Sequence, residues 1–185
     1  NIGGLDNILF TPNGKLHRYL TKLAFLNLLH PFQPFIVGQR IIGPLMAEKF
    51  GVSLVMYGEN QAEYGNDKEE NESPNMDARF FASDFKNTIL GGVKVKDIIK
   101  EGNFNIKDFK PYMPCNPIKV LKNKTTVHYL GYYLKWDPQE CYYYAFENTN
   151  FQANEERTEG SYSKYSSIDD KIDPFHYYTT LIKFG

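Results

Sequence analysis

Val52-Ser-Leu-Val-Met-Tyr57 is an apolar run closed off by Gly51 and Gly58. It is too short for a buried helix and rich enough in apolar side chains to read as a buried strand. What precedes it narrows the choice of fold. Leu5-Asp-Asn-Ile-Leu-Phe10 reads as a short strand, and Thr11-Pro-Asn-Gly14 as the turn that ends it. Leu16, Leu20, Leu23 and Leu26 then keep close to a 3.6-residue period, predicting a helix to about Leu29. Pro31 and Pro34 interrupt it. A second helix is expected from about Gly38 to Phe50, kinked or split at Pro44 and capped by Gly51. The order strand, helix, helix, strand implies a parallel sheet flanked by helices, in which ligands sit beyond the carboxyl ends of the strands.

At such an end stands Gly58-Glu-Asn-Gln-Ala-Glu-Tyr-Gly-Asn66, with Glu59 and Glu63 four residues apart between glycines. A plain turn needs Gly, Asn or Asp and has no use for a spaced glutamate pair. Two such carboxylates suit Mg²⁺, which takes one or two carboxylates together with phosphate oxygens and water. A solvated loop is the alternative. Residues 66–75 are polar and acidic and read as an exposed loop. From Asp77 to Gly102 the pattern is helical again, interrupted at Gly91-Gly92, and 103–124 is irregular. Thr125–Trp136 reads as a strand or as an aromatic segment lining a cleft. Asp137-Pro138 is an N-cap and first residue of a helix, and Ser167-Ile-Asp-Asp170 resembles a capping box for a last helix running from 168 towards Phe184, with Pro174 as a kink. Three divisions follow: 1–66, an acidic loop 67–76, and a mostly helical, aromatic-rich 77–185.

The 185 residues suffice for one real core, and Tyr and Phe at 14 each promise a ring-rich interior or groove. The net charge of −1 provides no general field for nucleic acid or a membrane surface. No apolar stretch approaches the ~20 residues that span a bilayer. Cys115 and Cys141 form no metal pattern and read as separate thiols, which favours a cytoplasmic protein. His17, His30, His128 and His176 show no metal-ligand spacing and read as structural. His176, among Tyr177, Tyr178, Asp169, Asp170 and Lys171, is also a candidate general acid or base. In 156–171, Arg157, Lys164 and Lys171 stand among many hydroxyls, a composition for phosphate or a polyhydroxylated sugar, or for a flexible polar loop.

The segments 6–39, 57–66, 128–140 and 157–185 together resemble the N-acetyl sugar amidotransferases, a family of ATP pyrophosphatases related to asparagine synthetase. It includes proteins of bacterial lipopolysaccharide O-antigen amidination and flagellin modification. The resemblance implies the distal part of a parallel-sheet, adenine-nucleotide α-hydrolase-like domain followed by a mostly helical segment. It also implies an activity: ATP adenylylates an amide oxygen and ammonia displaces AMP, turning a sugar acetamido group into an acetamidino group. The substrates would be sugars such as pseudaminic or legionaminic acid, and a partner glutaminase would supply the ammonia. Gly58-Glu59 and Glu63-Tyr64-Gly65 look like the segment in which such enzymes hold Mg²⁺ on pyrophosphate, with Ala62 where the relatives carry aspartate. The family's S-G-G-x-D-S phosphate loop (PP-loop) is absent. Gly3-Gly4-Leu5-Asp6 has only its G-G-x-D core, before a strand rather than after one. The chain is therefore expected to be the C-terminal half to two-thirds of the enzyme and inactive alone. A non-catalytic module that binds sugar or docks the glutaminase is the alternative. A tRNA-thiolating relative is disfavoured by the neutral charge.

Overall fold

The computed structural model describes residues 3–58, 72–168 and 170–185. It is a mixed α/β structure whose two small sheets are each two-stranded. Helix α1 (Gly14–Leu28) starts where Asn13 accepts from the Lys15 and Leu16 amides, and it buries Leu16, Leu20 and Ala24. The buried face thus runs through Ala24, and Leu26 of the expected leucine row is exposed. Helix α2 (Gln33–Phe50) begins five residues earlier than expected, because Pro34 lies in its first turn, where the missing N–H costs nothing. Pro44 is accommodated inside it, and Gly51 caps it at φ 68°.

Strand β1 (Leu54–Tyr57) pairs in parallel with β4 (Thr126–Tyr129), Leu54 opposite Thr126 and Tyr57 opposite Tyr129. Val55, Tyr57, Val127 and Tyr129 face α2 and the short helix α4 (Pro117–Asn123), completing a cluster with Ile41, Met76, Phe81 and Cys115. The opposite face is open, with Leu54 51% and Met56 43% exposed, so β1 is a half-buried strand rather than the fully buried one expected. Leu5–Phe10 forms no strand. A strand exists only with a ladder partner, and among the described residues β1 pairs only with β4.

A second cluster joins Leu16 and Leu20 to Leu90, Val95, Ile98, Phe109 and Tyr112. Here the expected helical pattern of 77–102 gives way to 3-10 turns at Ala78–Phe80 and Phe85–Asn87. A hairpin of β2 (Ile89–Leu90) and β3 (Val93–Lys94) and helix α3 (Val95–Gly102) follow. Gly91 and Gly92, both at positive φ, make that hairpin turn, and Asn27 of α1 donates to the Gly91 carbonyl at 2.8 Å. The irregular 103–124 contains the 3-10 segment Ile106–Tyr112 and α4, which Asn116 and Pro117 open. Both clusters draw on residues before and after the acidic loop, and Val37 of α2 touches both.

Helix α5 (Pro138–Asn148) starts as expected, with Asp137 accepting from the Gln139 and Glu140 amides. Helix α6 (Asp173–Phe184) starts later than expected. Ser167 sits at φ 53° and Asp170 caps the Ile172 amide at 2.8 Å, so Pro174 opens the helix instead of kinking it.

Candidate functional site at the strand ends

Because β1 and β4 are parallel and in register, Gly58 and Leu130 leave the sheet at the same edge. The Tyr57 hydroxyl donates to the Gln39 carbonyl of α2 at 2.6 Å, and the Tyr57 and Tyr129 rings lie 6.3 Å apart. These contacts fix the last residue of β1 against the core, one position before Gly58. The chain rejoins the sheet at residues 74–76. The Tyr129 amide donates to the Pro74 carbonyl at 2.9 Å, the Met76 amide donates to the Val127 carbonyl at 2.9 Å, and Asn75 forms an antiparallel bridge with His128. The stretch between Gly58 and Pro74 is thus anchored at both ends on the strand pair. Glu59 and Glu63, the expected metal ligands, lie outside the described residues, as does the first half of the acidic loop, 67–71. Among the described residues no group of three or more His, Cys, Asp or Glu is arranged to hold a metal ion.

Beyond β4 a turn of 3-10 helix, Leu130–Tyr132, reverses the chain and brings the Tyr133 hydroxyl to 2.6 Å from His128 Nδ1. Tyr133 and Trp136 are more than half exposed beside this pair. Residues 125–136 are therefore a strand, as the first of the two expectations had it, and then an exposed aromatic turn. The His128–Tyr133 contact escaped the reading of four isolated histidines. Its only signal is Gly131, which permits a reversal inside His-Tyr-Leu-Gly-Tyr-Tyr.

The other expected residues lie on the C-terminal stretch. Its polar loop is folded by the Asn154 amide on the Lys164 carbonyl at 2.8 Å and the Thr158 amide on the Ser163 carbonyl at 3.0 Å. Lys164 Nζ donates to the Glu155 carbonyl at 2.7 Å, while Arg157 and Lys171 are exposed. Among the described residues no hydrogen bond or ion pair joins these three cations to one another or to His176. His176 packs elsewhere. Its ring lies 5.4 Å from that of His30 and 5.3 Å from that of Phe32, and its Nδ1 is buried without a hydrogen-bond partner. Burial lowers the His30 pKa, and the neighbouring His176, Lys183 and Arg40 lower it further. Burial also pushes the Cys115 thiol up to about 11, so it is a packing group rather than a nucleophile. Cys115 and Cys141 are free thiols, as expected.

The chain matches no family model and no curated protein. Among the described residues no helix is long and apolar enough to cross a membrane.

Proposed function

We propose that this chain is part of an ATP-dependent sugar amidotransferase that converts an acetamido to an acetamidino group with ammonia. The setting would be bacterial O-antigen or flagellin glycan biosynthesis, with a partner glutaminase as the ammonia source. The reading rests on the residue resemblance. The observation that supports it best is the emergence of Gly58 at the carboxyl end of a parallel strand, with the chain rejoining that sheet at 74–76. That is where α/β sheets bind their ligands. In this reading Glu59 and Glu63 hold Mg²⁺ on the pyrophosphate, where the metal neutralises charge developing on the leaving group. Gly58 leaves room for the phosphate, and Arg157, Lys164 and Lys171 attract phosphate or the sugar's carboxylate. His176 is the weakest member, since it packs against His30 and Phe32 and needs a rearrangement before it reaches a substrate.

A second reading, a module that docks the glutaminase, is favoured by the exposed Phe175, Tyr178, Leu181 and Ile182 of α6. Calorimetric titration of Mg²⁺–pyrophosphate into the chain and into Glu63→Gln, matched for melting temperature, separates the two. Binding lost in the variant supports the amidotransferase site. Binding unchanged in the variant removes Glu63 from it, and no binding by the folded parent favours the docking module.

A further inference from the structure

An open groove of about 490 Å³ lies where the polar loop of the C-terminal stretch crosses α5. One side carries Gln139 and Tyr142 of the helix, the other Tyr162, Ser163, Lys164 and Tyr165 of the loop. The volume falls within the ~300–1,000 Å³ of small-molecule sites. The two sides are joined before any ligand arrives. Tyr142 and Tyr165 stack at 4.4 Å with their planes 10° apart, and the Tyr165 hydroxyl donates to Gln139 Oε1 at 2.9 Å. The Tyr165 and Ser166 amides donate to Ser163 Oγ at 3.0 and 3.2 Å, which fixes that hydroxyl on the loop.

Hydrogen-bonding capacity is left over on both sides. Tyr165 uses one end of the Gln139 amide. Whichever way round that amide sits, its other end has no partner among the described residues. Ser163 Oγ accepts twice and donates to no described residue. Lys164 Nζ uses one of its N–H groups on the Glu155 carbonyl and forms no ion pair among the described residues. The Tyr142 and Tyr162 hydroxyls are also without a partner there, and Tyr162 is 98% exposed.

This mixture of rings and spare polar groups selects among ligands. A flat aromatic molecule is held best between two parallel rings, and the parallel pair in this lining, Tyr142 and Tyr165, is already closed on itself. An anion would meet a single ammonium group, and a purely apolar molecule would leave the polar groups without water or partner. A sugar ring suits all of them. Its C–H face rests on the electron-rich face of a tyrosine, and each of its hydroxyls can donate or accept. The match therefore holds for either orientation of the Gln139 amide.

We infer that the groove between α5 and residues 162–165 binds a carbohydrate ring, its apolar face against the tyrosines and its hydroxyls on Gln139, Ser163 and Lys164. The groove's chemistry stands by itself, and only the role of this sugar as a substrate rests on the amidotransferase reading.

Methyl β-glucoside, adenosine and inorganic phosphate are suitable probes, titrated into the 185-residue chain and followed through its tyrosine ring resonances. The glucoside should move those of Tyr142, Tyr162 and Tyr165, and phosphate should leave them in place. Tyr162→Ala and Gln139→Ala should each weaken glucoside binding about three- to tenfold, the worth of one such contact. Tyr162 is so exposed that its removal leaves the packing untouched. Adenosine or phosphate binding the groove more tightly than the glucoside, glucoside binding unchanged in both variants, or stationary tyrosine resonances at about 50 mM glucoside would each overturn the proposal. The Mg²⁺–pyrophosphate titration keeps the two readings apart. Its failure with sugar bound here would sink the amidotransferase site and leave the groove, and the reverse would sink the groove alone.

Discussion

The molecule contains two aromatic-rich regions built to opposite effect. Up to Tyr129 the rings make the core: Phe81, Phe109, Tyr112 and Tyr129 are almost completely buried. Beyond Tyr129 the only buried residue among those described is Thr179, while Tyr143, Tyr144, Phe175 and Tyr178 are more than half exposed. Aromatic content is therefore not what makes a core. In α1 the apolar residues keep a stripe that faces α2 and the hairpin. In α5 the run Tyr142-Tyr143-Tyr144-Ala145-Phe146 puts rings all round the helix, and no single packing partner can cover them. The C-terminal rings pack on one another instead, Tyr142 stacking on Tyr165 at 4.4 Å. Such pairs add about 0.5–1.5 kcal/mol, less than the burial that holds the first region.

The largest contrast should come from ring deletions. Phe109→Ala, at a residue 0% exposed, should cost about 3–5 kcal/mol in urea unfolding, and Tyr144→Ala on α5 about 0.5 kcal/mol or less. A comparable cost at Tyr144 would mean that the C-terminal rings are covered in solution, and the contrast would collapse.

Two glycines sharpen it. Gly91 at φ 58° would place a Cβ 2.7 Å from Leu23 Cβ and 2.9 Å from the Ala24 backbone nitrogen. Gly91→Ala should therefore cost about 2–4 kcal/mol, backbone strain plus overpacking against a helix that cannot yield. At Gly160, φ 79°, the nearest atoms to an added Cβ are those of the Tyr177 side chain, at 2.9 Å. Gly160→Ala should cost about 1–2 kcal/mol, since α6 has little core to disturb when it shifts. Paired denaturation curves give the order.

Acidification should produce the smallest effect. The His30 pKa is lowered from 6.5 in the folded chain, so the unfolded chain takes up its proton first. Stability is intact above about 6.5 and falls as pH drops below it. Because His30 packs on His176, hydrogen exchange should show α6 loosening before α1 between pH 7.5 and 5.5. Simultaneous loosening would show one cooperative unit instead of two regions of different strength.

Much of the first region is readable from local chemistry alone. Asn13 and Gly51 mark helix ends, and the run to Tyr57 marks β1 because only local signals are needed. Where the sequence misleads, the deciding partner is elsewhere in the chain or a residue serves two purposes. Leu5–Phe10 has strand composition but no ladder to join. Pro34 and Pro174 suggest a break and a kink, yet both open helices. Asn116-Pro117 uses the same device as Asp137-Pro138 within a stretch that carries little other pattern. Of the candidate site, Gly58 at a strand end was legible. The return of the chain to the sheet at Asn75, opposite His128, was not, since nothing local links the two.

The parallel pairing of β1 with β4 also fixes an order of events during synthesis. The Thr126 amide and Asn123 side chain reach Ser53 and Val52 across 73 and 71 residues. At about 5–20 residues per second, roughly 4–15 s separate the emergence of the two strands from the ribosome. Throughout that interval β1 has no ladder, and Val55 and Tyr57 have only α2 to cover them. A nascent chain halted before Thr126 would carry α1 and α2 with an unpaired apolar strand, a natural substrate for a chaperone.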